Sequence, residues 1–380
     1  MRRTFVALVA LIFSITFLFP NGFKIRLVEK IELGENSELS SIPRIFNVTE
    51  GGLLLIPDHR AGFIKIFEKN GNYLKLVKKF GPEGFGKKDF EFDSPAYSFY
   101  DKHTGKFGVI NVRKEGKSSK RKLFIFDRIN QIDFKLACTV KDVDGYDMKL
   151  WNDHLIISGY KKFEEKPFDL YMINLEKIEK EEALEIVPLL PSPEKYGLSD
   201  KNYQIKYYNQ ILPAIGIRAY IDIEGDDVYF VWEGKLRVIK MNLKSKEQTV
   251  FEQPPMQQIP YYVEPETSDN LPKLIKAYND RDNDEYLRLK AEMSQVTDIF
   301  ATPLYVFVVY QGPTDKSFRM AAFTPEGKFL KDIEIPGEAG SKMWLDEDID
   351  EKNCHTLYSL KKSSKDEDTQ ILIYKVKVEK

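Results

Sequence analysis

Short segments in which apolar and polar residues alternate recur along the whole chain, each followed by a polar turn and a second alternating segment. These pairs begin at Phe63, Leu123, Leu170, Leu236 and Phe318, and a last partial copy begins at Ile371. Alternation with a period of two residues is typical of β-strands. Another apolar segment and a shorter one precede each pair, so the pattern predicts six units of three or four strands.

Many short strands in regular groups of four are typical of a β-propeller, in which each group forms one blade. The sixth unit has three strands before the sequence stops, and residues 23–33 form a strand-like segment that belongs to no unit. An unpaired strand edge exposes a row of backbone hydrogen-bonding groups. We therefore predict an all-β, six-bladed propeller in which this N-terminal strand completes the sixth blade and closes the ring.

The spacing between units is uneven, and the extra length falls at residues 192–216 and 253–295. In the second stretch Leu274, Ile275 and Tyr278 recur at the spacing of one helix face. We predict a small helical insertion at about residues 254–295, between blades 4 and 5. Long connections that leave a regular scaffold commonly carry binding specificity.

A glycine-rich stretch beginning at Phe80, "FGPEGFGKKDFEFDSP", has the spacing of a phosphate-binding loop at Gly81, Gly86 and Lys87. That loop requires Ser or Thr after its lysine to hold magnesium, and a helix must follow. Lys88 occupies the hydroxyl position, and the following residues alternate like a strand. The stretch therefore does not predict nucleotide binding.

The same stretch resembles the segment that links one blade to the next in NHL-type repeats. The matching residues are Gly81, Gly84, Gly86, Phe90 and Pro95, and "LFIFD" from Leu123 is similar to the third strand of those repeats. The match is confined to the first two units, and the chain as a whole resembles a divergent six-bladed propeller of the NHL or TolB-like kind. This resemblance implies binding and scaffolding, with a minority of hydrolases and lyases.

The first 22 residues resemble a targeting segment, because two arginines precede an apolar run of fifteen residues from Phe5 to Phe19. This length suits a signal peptide and is short for a membrane span. We predict that residues 1–22 are a signal peptide or an uncleaved N-terminal anchor and that residues 23–380 form one propeller domain. The protein would then be exported to a bacterial periplasm or the extracellular space, with membrane contact only through an uncleaved N-terminal segment.

Charge and cysteine content narrow the class of partner. Lysine and arginine number 57 against 59 acidic residues, so no charge excess would attract nucleic acid. The two cysteines form no C-x-x-C motif, and the low number fits an exported bacterial protein rather than a disulfide-rich scaffold.

Motifs for catalysis and metal binding are weak. The sequence has no G-x-S-x-G motif, and its four histidines fall in different units, so we predict neither a catalytic nor a metal site and no cofactor. Calcium is the alternative at Asp280, Asp282 and Asp284, although Glu285 stands where a calcium loop requires glycine. A helix cap, with Asp282 as the capping residue and Glu285 three positions later, explains the same residues.

A ligand-binding surface is the positive hypothesis. Tyrosines provide rigid amphipathic contact area, and an arginine provides a fork for carboxylates. The candidate binding residues are Tyr203, Tyr207, Tyr208, Arg218, Tyr220, Tyr261 and Tyr262. We predict a non-catalytic binding or scaffold protein that holds a protein, peptide or glycan at the channel mouth and insertions. Two alternatives stay open: these residues pack the insertion against the ring, or residues converging in the channel form a hydrolase or lyase site.

Overall fold

The computed structural model of the protein describes residues 22–33, 39, 45–71, 73–80, 94–115, 118–130, 132–141, 143, 145–163, 166–179, 186–189, 206–216, 218–313, 317–337, 339–340, 342–361 and 369–379. Within these ranges, twenty-four β-strands form six four-stranded antiparallel blades around a central channel. The predicted all-β, six-bladed propeller is therefore confirmed.

The first three blades follow one another along the chain. Blade 1 consists of β2 (Asn47–Val48), β3 (Leu54–Asp58), β4 (Phe63–Asn70) and β5 (Tyr73–Phe80). Blade 2 consists of β6 (Pro95–Tyr100), β7 (Phe107–Glu115), β8 (Ser118–Arg128) and β9 (Phe134–Lys141). Blade 3 consists of β10 (Asp147–Trp151), β11 (His154–Phe163), β12 (Lys166–Asn174) and β13 (Ile186–Pro188), with the short helix α1 (Leu175–Glu179) after β12.

The last three blades contain the insertions and the closure. A π-helical turn (Tyr207–Ile211) and the short helix α2 (Leu212–Ile215) precede blade 4, which consists of β14 (Ala219–Glu224), β15 (Asp227–Trp232), β16 (Lys235–Asn242) and β17 (Gln248–Val250). Blade 5 consists of β18 (Gln295–Ala301), β19 (Val306–Gln311), β20 (Phe318–Phe323) and β21 (Phe329–Ile335). Blade 6 consists of β22 (Lys342–Asp346), β23 (Cys354–Lys361), β24 (Gln370–Glu379) and the N-terminal strand β1 (Gly22–Leu33).

Ring closure depends on β1, which pairs antiparallel with β24 along nearly its whole length, from Gly22 opposite Glu379 to Glu32 opposite Gln370. A bulge at Leu27 shifts the register once. The end of β1 also makes a short parallel pairing with β5 of blade 1. The prediction that the N-terminal strand completes the sixth blade is thus confirmed, and the first and last blades are joined by backbone hydrogen bonds.

Both faces of each blade are buried, which explains why many strands lack a polar face. In β15, Val228 and Phe230 pack into the cluster shared with blade 3, whereas Tyr229 and Val231 pack into the cluster shared with blade 5. Successive side chains of a strand point to opposite faces, so each blade requires a neighbour on both sides. A hydrophobic cluster fills each of the six spaces between neighbouring blades.

The predicted helical insertion lies between β17 and β18, where the chain forms helices α3 (Leu271–Asp280) and α4 (Asn283–Lys290). Leu274 of α3 and Leu289 of α4 are buried against blade 4. The carboxylate of Asp282 accepts the backbone N–H of Glu285 at 3.1 Å, which confirms the predicted helix cap. Apolar contacts therefore hold the insertion against the ring, and its second helix begins directly after the capping residue Asp282.

The targeting prediction and the linking-segment prediction fall largely outside the described residues. Residues 1–21 and 81–93 are not described, so the signal or anchor and the glycine cluster stay predictions. Pro95 is described and begins β6, the inner strand of blade 2. None of the helices in the described residues is both long enough and apolar enough to cross a membrane.

Removing the buried side chain of Ile31 tests the closing strand. Ile31 is 1% exposed among side chains of blades 1 and 6, whereas Val28 of the same strand is 41% exposed. We expect Ile31→Ala to lower the free energy of unfolding by about 2–5 kcal/mol, because it leaves a cavity between the first and last blades. Val28→Ala should change it by less than about 0.5 kcal/mol. Urea unfolding followed by tryptophan fluorescence measures both, and equal effects would contradict the packing of β1 in the closed ring.

Candidate functional site

The first strand of each blade faces the channel, and its alternation brings polar side chains to the axis. Asp147 and Lys149 lie two residues apart on β10, and Tyr220 lies on β14. Together with Asp298 of β18 and Lys342 of β22 they line a cavity of about 70 Å³ at the middle of the channel. We call this narrow part the waist. It has room for a few water molecules and not for an organic substrate.

Carboxylates near the waist brace neighbouring blades. Asp147 accepts the backbone N–H of Ile221 at 2.9 Å, which ties blade 3 to blade 4. Asp222 accepts the backbone N–H of Ala301 at 2.7 Å, which ties blade 4 to blade 5. The second oxygen of Asp222 pairs with the ammonium of Lys149 at 2.9 Å. These acids therefore have structural partners, and their presence at the axis does not by itself indicate catalysis.

Burial changes the protonation of the waist. It raises the pKa of Asp298 well above the usual value, and the nearby Asp147 carboxylate raises it further against the opposing effect of Lys149. Burial also raises the pKa of Asp147, although Lys149 and two backbone N–H groups oppose it. For Lys149, burial favours the neutral amine, but Asp222 and Asp147 outweigh it and raise the pKa. The waist thus combines a firmly protonated lysine with carboxyl groups that resist ionisation.

On the side of the helical insertion, the channel opens into a cavity of about 630 Å³, which we call the insertion-side mouth. Its floor includes Arg218, just before β14, and its wall includes Tyr278 of α3 and Leu287 of α4. Leu287 is 62% exposed and Tyr278 is 44% exposed. The remaining lining residues are Tyr146, Pro213, Gly216, Glu233, Tyr286, Lys290, Ala291, Met293, Gln295, Gln311, Gly312 and Pro313.

An ion pair fixes one side of this mouth. The carboxylate of Glu233, at the end of blade 4's second strand, accepts a hydrogen bond from the ammonium of Lys290 at 3.1 Å. Gly216 makes this possible, because a Cβ added there would lie 2.6 Å from Glu233 Oε2. The backbone of Gly216 has φ 135°, a conformation that favours glycine. The glycine therefore leaves space for the carboxylate that holds the helical insertion.

Arg218 differs from its charged neighbours. Its side chain is exposed and interacts with the Tyr220 hydroxyl. Among the residues that the structure describes, no carboxylate lies within 4 Å of its guanidinium. An arginine fork is suited to two parallel hydrogen bonds with a carboxylate. The geometry thus presents, at the floor of a cavity, an anion-binding group that forms no ion pair with the described residues.

The opposite end of the channel has the opposite charge. A cavity of about 540 Å³ lies at the ends of the inner strands, and we call it the opposite mouth. Among the described residues, six carboxylates line it against two lysines, an excess of four negative charges with histidine neutral. Lys102 pairs there with Glu347 at 2.7 Å and with Asp348 at 3.0 Å. Burial raises the pKa of Glu224, and Glu347 raises it further. The two mouths therefore favour ligands of different charge.

Two of the predicted binding residues lie near the insertion-side mouth. Arg218 forms part of its floor, and Tyr220 lies behind it at the waist. Tyr261 is half exposed and lies elsewhere, with the Arg319 guanidinium 4.4 Å from the centre of its ring. For these three residues a role in binding stays a prediction.

The other predicted tyrosines do not contribute to this mouth in the described part of the chain. Tyr207 is fully buried, with its ring 5.7 Å from that of Trp232. Tyr262 is also buried, and its hydroxyl accepts the backbone N–H of Leu236 at 2.7 Å. These two side chains pack in the core, and a role for them in binding stays a prediction. Tyr203 and the side chain of Tyr208 lie outside the described residues.

Sequence reasoning missed the polar residues of the waist. Asp147, Lys149, Asp222 and Asp298 lie in the short inner segments "GYDMKLW", "RAYIDIEG" and "VTDIFAT". A signal was present, since a charged residue inside an otherwise apolar strand must face water, a partner or a channel. Within the described residues, no three His, Cys, Asp or Glu side chains group as a metal site would require.

Comparison with known proteins identifies no family. No protein-family model matches the sequence, and no curated protein matches it. Similar solved structures include the PQQ-bound aldose sugar dehydrogenase from Streptomyces coelicolor, with 8% identity over 94% of this chain and 100% of that chain and a TM-score of 0.49. A mutant α-L-arabinofuranosidase from Fusarium graminearum, in complex with an iminosugar inhibitor, has 8% identity over 92% and 98% of the two chains and a TM-score of 0.48. Likeness at this level carries no argument, and the class of protein, a six-bladed propeller, is defined by strand topology.

Replacing Asp298 by Asn tests the protonation of the waist. The pKa of this carboxyl is raised from the usual value of 3.8 in the folded state. The folded state therefore loses stability relative to the unfolded state as the pH rises from 3.8 towards the raised pKa. Asparagine has no such cost and keeps an oxygen that can accept the N–H of Ile299. We therefore expect Asp298→Asn to have the melting temperature of the wild type at about pH 4 and a melting temperature increasingly higher than that of the wild type as the pH is raised. Asp280→Asn, at an exposed position, should follow the wild type throughout, and a constant offset for Asp298→Asn would contradict the raised pKa.

Replacing Gly216 by alanine tests the support of the Glu233–Lys290 pair. The new methyl group would collide with the Glu233 carboxylate and would strain a backbone conformation that favours glycine. We expect a loss of about 1–3 kcal/mol in the free energy of unfolding. Gly225→Ala is the matched control, because Gly225 also has positive φ but no atom lies within 4 Å of the added Cβ. Its cost should be about 1 kcal/mol from backbone strain alone. Equal melting temperatures for the two variants would show that the Glu233 side chain moves away from the added methyl group without a loss of stability, which would contradict the prediction.

Proposed function

We propose that the protein is an exported, non-catalytic binding propeller that holds a protein, peptide or glycan partner at the insertion-side mouth. The observation that carries this proposal is the unpaired Arg218 guanidinium at the floor of a cavity of about 630 Å³ with an exposed apolar wall. The apolar N-terminal run supports export. The glycine-rich linking segment supports a divergent relationship to NHL or TolB-like propellers.

The mouth has the composition of a protein binding site. Leu287 and Tyr278 expose apolar surface, and soluble proteins expose such surface contiguously mainly where something binds. Tyrosine and arginine are enriched among the residues that contribute most to binding energy. The insertion supplies the wall and the ring supplies the floor, so the site uses a rigid scaffold together with a specific connection.

The alternative function is a propeller hydrolase or lyase that uses the waist. Asp147 and Asp298 support it, because carboxyl groups with raised pKa values are suited to acid–base chemistry and cluster at active sites. Space opposes it. The cavity that both residues line is about 70 Å³ and admits only water-sized molecules. A ligand can enter the insertion-side mouth without widening the waist, so we favour the binding function. We propose no bound cofactor, and calcium at the acidic residues of the insertion is the alternative.

Weakening the apolar wall tests the proposed function. The purified mature protein is screened against a randomised peptide library and an oligosaccharide array, and the best ligands are measured by calorimetry. We expect Leu287→Ser to weaken each ligand by about tenfold or more, because it removes apolar contact area at the mouth. Ile129→Ser is the matched control, since Ile129 is 64% exposed in a turn of blade 2, away from this cavity.

Two results would overturn the proposed function. If the ligands bind Leu287→Ser and the wild type with equal affinity, their binding site does not include the apolar wall of the insertion-side mouth. A ligand that is turned over by the wild type and not by Asp298→Asn would establish the enzyme alternative instead.

A further inference from the structure

Arg218 is the charged group of the insertion-side mouth that has no counter-ion within the described residues. The neighbouring acid, Glu233, pairs with Lys290 at 3.1 Å and acts on the charge of Arg218 from beyond ion-pair distance. The Tyr220 hydroxyl is a neutral partner of the guanidinium. A carboxylate brought by a ligand would therefore meet a fork with which no described carboxylate already forms an ion pair.

Two other polar side chains around the mouth are already engaged. The hydroxyl of Tyr286 donates to the carbonyl of Ala214 at 3.1 Å, and its ring lies beneath the ammonium of Lys290. The side-chain amide of Gln295 donates to the carbonyl of Lys290 at 3.4 Å. These donors are therefore not available to the hydroxyls of a bound sugar, which each require a donor or an acceptor when buried.

Apolar side chains form one wall of the mouth beside its polar residues. Leu287, Tyr278 and Ala291 are exposed on the helices, and the ring side adds Pro213 and Pro313. Such a wall gains free energy by covering apolar side chains. One unpaired cationic fork beside an apolar wall matches a ligand with one carboxylate and an apolar body.

We infer that the insertion-side mouth binds the carboxylate of an apolar peptide, with two N–H groups of Arg218 bonded to its two oxygens and its apolar side chains against Leu287 and Tyr278. This inference rests on the proposed binding function and names the ligand class for that site. The carboxylate is either the free C-terminus or the side chain of Asp or Glu, since both present the same two oxygens.

Two matched libraries test the inference and separate the two sources of the carboxylate. N-terminally acetylated random hexapeptides are screened once with free C-termini and once with amidated C-termini, and a set of uronic-acid oligosaccharides forms a third arm. If the C-terminus is recognised, the selected peptides come from the free-acid library and lose binding on amidation. If a side chain is recognised, the amidated library yields peptides that share an Asp or Glu.

Variants of Arg218 then measure its contribution to each selected peptide. Hydrogen bonds to charged groups are worth about 1.5–3 kcal/mol, so Arg218→Gln should weaken binding on the order of 10- to 100-fold. Arg218→Lys should recover only part of this loss, because an ammonium lacks the planar fork. Arg26→Gln is the matched control: it removes the same charge from an exposed position on β1 and should leave binding unchanged. Thermal melting checks that each variant is folded.

The outcomes distinguish this inference from the proposed function. If peptides bind Leu287→Ser more weakly but bind Arg218→Gln as well as the wild type, Arg218 does not bind a carboxylate of the peptide. The mouth would then remain the binding site. If uronic-acid oligosaccharides bind and peptides do not, the ligand is not a peptide. Recognition of a carboxylate would still hold. A lack of binding in all arms would overturn the carboxylate inference, whereas the proposed function is decided by the Leu287→Ser comparison on the peptide library and oligosaccharide array.

Discussion

The two-sided burial of every blade is the constraint on which the structure depends. A blade whose two faces are both apolar cannot exist at the end of a row, because one face would be left in water. The ring removes that end, and β1 completes it by pairing with β24 while its Ile31 packs between blades 1 and 6. The first strand of the domain is thus held by the last part of the chain. Stability of the whole propeller is coupled to this long-range contact.

Closure also creates the channel and determines what can occupy it. Each inner strand turns alternate residues towards the axis, where water is scarce and a polar group needs a partner. Asp147 and Asp222 find theirs in the backbone of the next blade, and Lys149 finds its partner in Asp222. The polar axis therefore holds the blades in register. It leaves a waist that separates the two mouths without offering space for a substrate.

The proposed binding site lies where the regular ring is interrupted. The insertion between blades 4 and 5 adds α3 and α4 beside the channel and converts an opening into a cavity with an apolar wall. Glu233 anchors the insertion through Lys290 and forms no ion pair with Arg218. The same ion pair thus supports both the shape of the mouth and its positive charge. At the opposite mouth none of the described lining residues lies in a helix, and carboxylates are the most numerous charged groups among them.

Sequence determined those features that depend on neighbours in the chain. Alternation with period two predicted the strands, and the spare strand at residues 23–33 predicted closure because an open edge is unfavourable. The spacing of Leu274 and Tyr278 predicted a helix, and Asp282 its cap. The affiliation to NHL-type repeats and the targeting segment remain predictions of the sequence alone.

Tertiary structure decided which side chains meet. Tyrosine is amphipathic, so nothing local distinguished the buried Tyr207 and Tyr262 from a binding surface. Arg218 was a candidate from the sequence, but only the fold shows that the neighbouring acid Glu233 pairs with Lys290, 72 positions along the chain from Arg218. The waist likewise joins Asp147 to Asp298, residues of different blades that only the closed ring brings to one axis. Strand periodicity is a local property of the chain, whereas the pairing of charges across blades depends on how the ring folds.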